Sequence, residues 1–126
     1  MVDAKLYCKY YDMAGIEVKD KYSLNTYYDL YYWCNIRGMK QIDLTLRYNG
    51  DTYRYKHLCC VSIDNLRRDI KIDTTEDGGW GKFMIVNNIT ELYIRVKNVL
   101  KSLPESVRNE YIRVLDMYIK EWSEGK

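Results

Sequence analysis

From Ile42 to Cys59, apolar and polar residues alternate on either side of an Asn49-Gly50 dipeptide. Period-two alternation sends successive side chains to opposite faces of a strand. Asn-Gly is the dipeptide best suited to a two-residue type I′ turn, whose central positions need positive φ. The stretch therefore commits the chain to an antiparallel hairpin. With the turn at Asn49-Gly50, Leu46 faces Tyr53, Leu44 faces Tyr55 and Ile42 faces His57. On the other face Asp43 meets Lys56 and Thr45 meets Arg54. Apolar residues pair with apolar ones and opposite charges pair, the consistency expected of a native register. In this register His57, the only histidine, lies on the Leu/Tyr face away from any carboxylate. It reads there as a half-core residue rather than a catalytic base.

Weaker alternation predicts further strands. Val2 to Tyr11 alternates, Asp12 to Gly15 reads as a turn, and Ile16 to Lys19 supplies a short hairpin partner. Lys82 to Val86 is a short apolar strand. Between these, Thr26-Tyr27-Tyr28-Asp29 has capping-box spacing, and Tyr27, Leu30 and Trp33 or Cys34 follow at helical spacing before Gly38. That pattern predicts a helix over Tyr27 to Arg37. Ser62 to Arg68 reads as a short helix or helical turn. The C-terminal part carries the clearest helical period. Asn88 and Glu91 form a capping signal, and Ile89, Leu92, Val96, Val99, Leu100 and Leu103 make one apolar stripe. Pro104 interrupts it and suits the first turn of a second helix. Val107, Tyr111, Val114, Leu115, Tyr118 and Trp122 then repeat the stripe.

The expected fold is thus α+β: a small antiparallel sheet of hairpins with one helix inserted, and a C-terminal antiparallel helical hairpin packed on the sheet. The 126 residues suffice for one domain and not for two good cores. No apolar run approaches the roughly 20 residues of a membrane helix, and no signal-like block follows Met1 to Lys5. A cytoplasmic location and no membrane partner are expected. Twenty basic and eighteen acidic residues leave a net charge of +2, which suits neither a strongly basic DNA binder nor an acidic nucleic-acid mimic.

Motifs for catalysis are missing. Cys8, Cys34, Cys59 and Cys60 include no C-x-x-C pair, and adjacent Cys59 and Cys60 would point to opposite faces of a strand. Reduced thiols are the simplest reading. Asp73, Glu76 and Asp77 lack the order of an EF-hand and read as a solvated turn. In Gly78-Gly79-Trp80-Gly81-Lys82 the glycine spacing is wrong for a phosphate loop, and Phe83 replaces the required Ser or Thr. No catalytic residue, metal or cofactor is expected. The basic residues of the last helices alternate with acidic ones and read as a mixed solvated face.

What stands out is aromatic. The chain has fourteen Tyr and three Trp against a single Phe. Tyr is rigid and amphipathic, which favours it at recognition surfaces, although a low-GC coding bias would raise its number too. Trp80 sits among glycines on an expected loop tip, either as a lid over the core or as an anchor for a partner. The anchor reading is preferred, because a lid does not need flanking glycines. Trp80 and Lys82, joined by Tyr28, Tyr31 and Tyr32, form the expected binding surface. A compact, tyrosine-rich, motif-poor chain of this size resembles in style the accessory proteins of phages and mobile elements, including inhibitors of bacterial defence. The resemblance implies a non-enzymatic binding protein that inhibits a host protein by occluding a surface. The alternatives are a binder of a nucleotide-like signalling ligand and a single-stranded nucleic-acid binder. A homo-oligomer is compatible with each.

Overall fold

The computed structural model describes residues 5–34, 38–48, 54–73 and 83–124. Strands β1 (Lys5–Asp12), β2 (Glu17–Val18), β3 (Thr26–Cys34), β4 (Met39–Tyr48), β5 (Tyr55–Asp64), β6 (Asp69–Asp73) and β7 (Met84–Ile85) precede helices α1 (Ile89–Leu100) and α2 (Glu105–Glu124). The described strands form one open antiparallel sheet in the order β2-β1-β3-β4-β5-β6-β7. Among the described residues, seven antiparallel strands and two α-helices make an α+β fold.

The helices follow their sequence signals. The Asn88 side chain accepts from the Glu91 N–H, and the Glu91 carboxylate accepts in turn from the Asn87 N–H. This reciprocal cap satisfies donors that the first turn would leave open. Leu92, Val96 and Leu100 of α1 and Val107, Tyr111, Val114 and Leu115 of α2 are buried. They share one core with Leu30, Ile42, Leu44, Cys59, Val61, Ile63 and Ile72 from the sheet. The fully buried Tyr111 hydroxyl donates to the Ile42 carbonyl at 3.1 Å and lies 3.3 Å from Cys59 Sγ, tying α2 to β4 and β5. Lys9 to Glu110 at 3.2 Å and Lys40 to Glu121 add ion pairs between sheet and helix.

The helix expected over Tyr27 to Arg37 is not formed: Thr26 to Cys34 is strand β3, between β1 and β4. Tyr28, Leu30 and Tyr32 face the helices, while Tyr27 and Asp29 are buried on the other face. A strand covered on both sides need not alternate in polarity, so its run of Tyr, Leu and Trp mimicked a helical period. Tyr and Trp also favour strands.

The expected register of the central hairpin is likewise replaced. Asn49-Gly50 lies outside the described residues. The strands it joins are pinned by Tyr48 N–H donating to the Arg54 carbonyl at 3.2 Å, across residues 49–53. Arg47 pairs with Tyr55, Thr45 with His57, Leu44 with Cys59, Asp43 with Cys60 and Ile42 with Val61. Tyr55 is thus on the face opposite to Leu44. Putting Ile42 and Leu44 beside Val61 and Cys59 under the helices outweighs the expected Asp43–Lys56 and Thr45–Arg54 pairs, each worth less than about 1 kcal/mol. A bulge between Leu44 and Thr45 leaves Leu58 without a partner on β4.

The segment read as a short helix or helical turn, Ser62 to Arg68, is the end of β5 followed by a turn over 65–68. Asp64 accepts from the N–H groups of Leu66 and Arg67, and Arg68 takes a φ of 60°. Its guanidinium stacks 4.2 Å from the Trp122 ring. At the other side of the sheet the expected Asp12–Gly15 turn is present, with Asp12 Oδ1 accepting from Ala14 and Ile16. Gly15 has a φ of +86°, and a Cβ there would stand 2.5 Å from Pro104 Cβ. Gly15→Ala therefore meets both backbone strain and the connection between the helices. It should lower unfolding free energy by more than about 1 kcal/mol, measured by urea denaturation.

Candidate functional site

The sheet face away from the helices carries a chemistry that the helix face does not. Its deeper layer is polar and buried: Asp29, Asp43, Thr45, His57, Cys60 and Asp73 are each no more than 5% exposed. Its outer layer is aromatic and cationic.

In the outer layer Arg47 and Lys21 organise the tyrosines. The Arg47 guanidinium lies 5.1 Å from the Tyr55 ring centroid and 5.9 Å from that of Tyr31. Its Nε binds the Asp29 carboxylate, which also accepts from the Tyr31 hydroxyl at 3.1 Å. Lys21 Nζ lies 4.7 Å and 5.1 Å from the Tyr10 and Tyr22 rings and donates to the Tyr10 hydroxyl at 3.0 Å. The turn that presents Lys21 is capped by Asp20, which accepts from the Tyr22 N–H. Tyr10 meets Tyr27 edge to face at 5.6 Å, and Tyr27 is the cross-strand partner of Arg47. The result is a continuous band across β1, β3, β4 and β5. Burial raises the pKa of Asp29, and the opposing effect of Arg47 and Tyr31 does not fully offset it. Burial also raises the hydroxyl pKa values of Tyr10 and Tyr31, so both keep their protons for donation.

In the deeper layer His57 Nδ1 stands 3.2 Å from Asp43 Oδ1. This corrects the expected position of His57 away from a carboxylate, and the altered register is the cause. Burial opposes the charged ring, but the Asp43 carboxylate, helped by Asp73, outweighs burial and raises the imidazole pKa. Cys60 Sγ accepts from Gln41 Nε2 at 3.1 Å. Burial, reinforced by the charge of Asp43, pushes the Cys60 thiol well above its ordinary value. It is therefore a protonated thiol in this state, not a ready nucleophile. Cys59 points to the helices and Cys60 away, as the sequence implied. Cys8, Cys59 and Cys60 are all free thiols.

Tyr28, Tyr31 and Tyr32 are not brought together. Tyr28 and Tyr32 are buried against the helices, with Tyr32 stacked on Tyr7 at 5.4 Å. Tyr31 faces the other way and joins the Arg47 cluster. Trp80 and Lys82 lie outside the described residues, as do Glu76 and Asp77. The residues that sequence reasoning missed are Tyr10, Lys21, Arg47, Tyr55 and the Asp43–His57–Cys60 group. Only the true strand register unites them, and the hairpin pattern pointed to another one. On the helices, Glu91–Arg95 at 3.1 Å and Glu110–Arg113 are ion pairs, in keeping with a mixed solvated face.

Among the described residues no helix is long and apolar enough to cross a membrane. Comparison with protein-family models, curated proteins and solved structures finds no match.

Proposed function

We propose that this chain is a non-enzymatic binding protein that covers a surface of a partner protein with the tyrosine–cation band of its sheet. The observation that carries this reading is the stacking of Arg47 and Lys21 on Tyr10, Tyr22, Tyr31 and Tyr55. Side chains held in this way lose little entropy on contact, and Tyr and Arg are the residues that most often dominate binding energy. Asp29 neutralises Arg47, so contact area and hydrogen bonds, not net charge, would drive association. This favours a protein partner over a polyanion. Burial of the Asp43–His57–Cys60 group, with its thiol protonated, favours binding over catalysis. Occlusion of a host protein, the role implied by the style of the sequence, is the form of inhibition that such a surface suits.

The test is capture from a lysate of the host cell, followed by titration with the captured protein. Tyr22→Ala and Tyr55→Ala should each weaken binding by about 2 kcal/mol or more, while Ile94→Ala on α1 should change it by less than about 0.5 kcal/mol. Trp80→Ala, tested alongside, addresses the anchor expected from the sequence. Equal binding by the Tyr variants and wild type would contradict the proposal. Steep loss of binding with salt, or a nucleobase absorbance that persists through purification, would instead select a nucleic-acid or nucleotide ligand.

A further inference from the structure

We infer that Asp43, His57 and Cys60 form a structural site for one divalent transition-metal ion of the zinc type, clamped between β4 and β5. The strongest reason is the backbone. His57 and Cys60 are three positions apart on one strand, and a regular strand would send them to opposite faces. The bulge that passes over Leu58 resets the phase, so that both face the same side, opposite Thr45 and Asp43 respectively. A bulge that re-aims side chains in this way is a feature strands keep for a purpose.

The donor set fits the ion. An imidazole nitrogen, a thiol sulfur and a carboxylate oxygen lie within 4.8 Å of one another, and all three residues are buried. Two nitrogen or oxygen donors bound to one tetrahedral zinc stand about 3.3 Å apart. His57 Nδ1 and Asp43 Oδ1 are 3.2 Å apart. Asp43 Oδ1 is buried beside His57, and a carboxylate oxygen carries a second lone pair with which it could hold an ion. Cys60 Sγ lies within 4.8 Å of both of these donors. Asp73, the cross-strand partner of Cys60, is fully buried on the same face of the sheet. Thiolate and imidazole together select zinc-type ions over magnesium or calcium. On binding, the Cys60 thiol gives up its proton and His57 coordinates as neutral imidazole. An ion held by three buried residues on two neighbouring strands would tie β4 to β5 and add its binding free energy to that of folding.

The site does not depend on the proposed partner surface, and its test needs no partner. The full chain, stripped with a chelator, is titrated with Co2+ and then with Zn2+. One equivalent of Co2+ should give a thiolate-to-metal charge-transfer band and the intense visible bands of tetrahedral coordination, and one equivalent of Zn2+ should bleach both. Cys60→Ser should abolish the charge-transfer band, whereas Cys59→Ala should keep it. Asp43→Asn should weaken Zn2+ binding by at least about tenfold. If Cys60→Ser does not fold, the wild-type spectrum and Asp43→Asn decide. No band at one equivalent, a band that survives Cys60→Ser, or unchanged affinity in Asp43→Asn would overturn the site.

Discussion

Arg47→Ala is expected to cost about 3–5 kcal/mol of stability at neutral pH, the effect of removing one partner from a buried ion pair. Asp29 has no exposed surface, whereas Arg47 keeps 22% of its side-chain surface in contact with solvent. The cost therefore falls on the carboxylate left behind, not on the lost attraction. The pH dependence follows from the direction of its shift. The folded-state pKa of Asp29 is already raised by burial, above an ordinary value of about 3.9. Such a group contributes stability that is fully present below its unfolded pKa and is lost as pH rises through the folded pKa. Without Arg47 the folded pKa rises further. The deficit of Arg47→Ala should thus be smallest in acid and grow toward neutrality, in urea denaturation series at several pH values. A deficit below about 1 kcal/mol, or one independent of pH, would mean that water reaches Asp29.

Leu100→Ala should cost about 2–5 kcal/mol, because it opens a cavity at the end of α1. Leu100 is 2% exposed and belongs to the shared helix–sheet core. Where in that range the value falls depends on how far Leu103 and Ile112, which are packed against the same core, can relax into the space. Ile94→Ala is the matched control on the same helix: Ile94 is 64% exposed and its loss should change stability by less than about 0.5 kcal/mol. Equal melting of the two variants would show that α1 does not carry its apolar stripe into the core.

The C-terminal helices were legible because local and global signals agree there. Asn88 caps, Glu91 answers it, and each stripe faces a single core. Strand β3 was not legible for the opposite reason. With Leu30 buried on one face and Asp29 on the other, its sequence lacks the polarity alternation by which strands are read. The hairpin between β4 and β5 failed at register. Asn49-Gly50, one charge pair and one polar pair argued for a two-residue turn, but these are weaker than the burial of Ile42, Leu44, Val61 and Ile63. The candidate site inherited that error. Once the bulge at Leu58 is known, Asp43, His57 and Cys60 fall on one face, and so do Arg47 and Tyr55. The tyrosine surplus then divides into two uses. Tyr11, Tyr28, Tyr32 and Tyr111 build the core, and Tyr10, Tyr22, Tyr31 and Tyr55 line the band.

The most direct test of the proposed surface is the hydrogen-exchange footprint of the chain in complex with its captured partner. Added protection should concentrate in the Lys21–Ser23 turn and around Tyr10 and Tyr55, with α1 and α2 exchanging as in the free chain. Protection confined to α1 and α2, with the band unchanged, would contradict it.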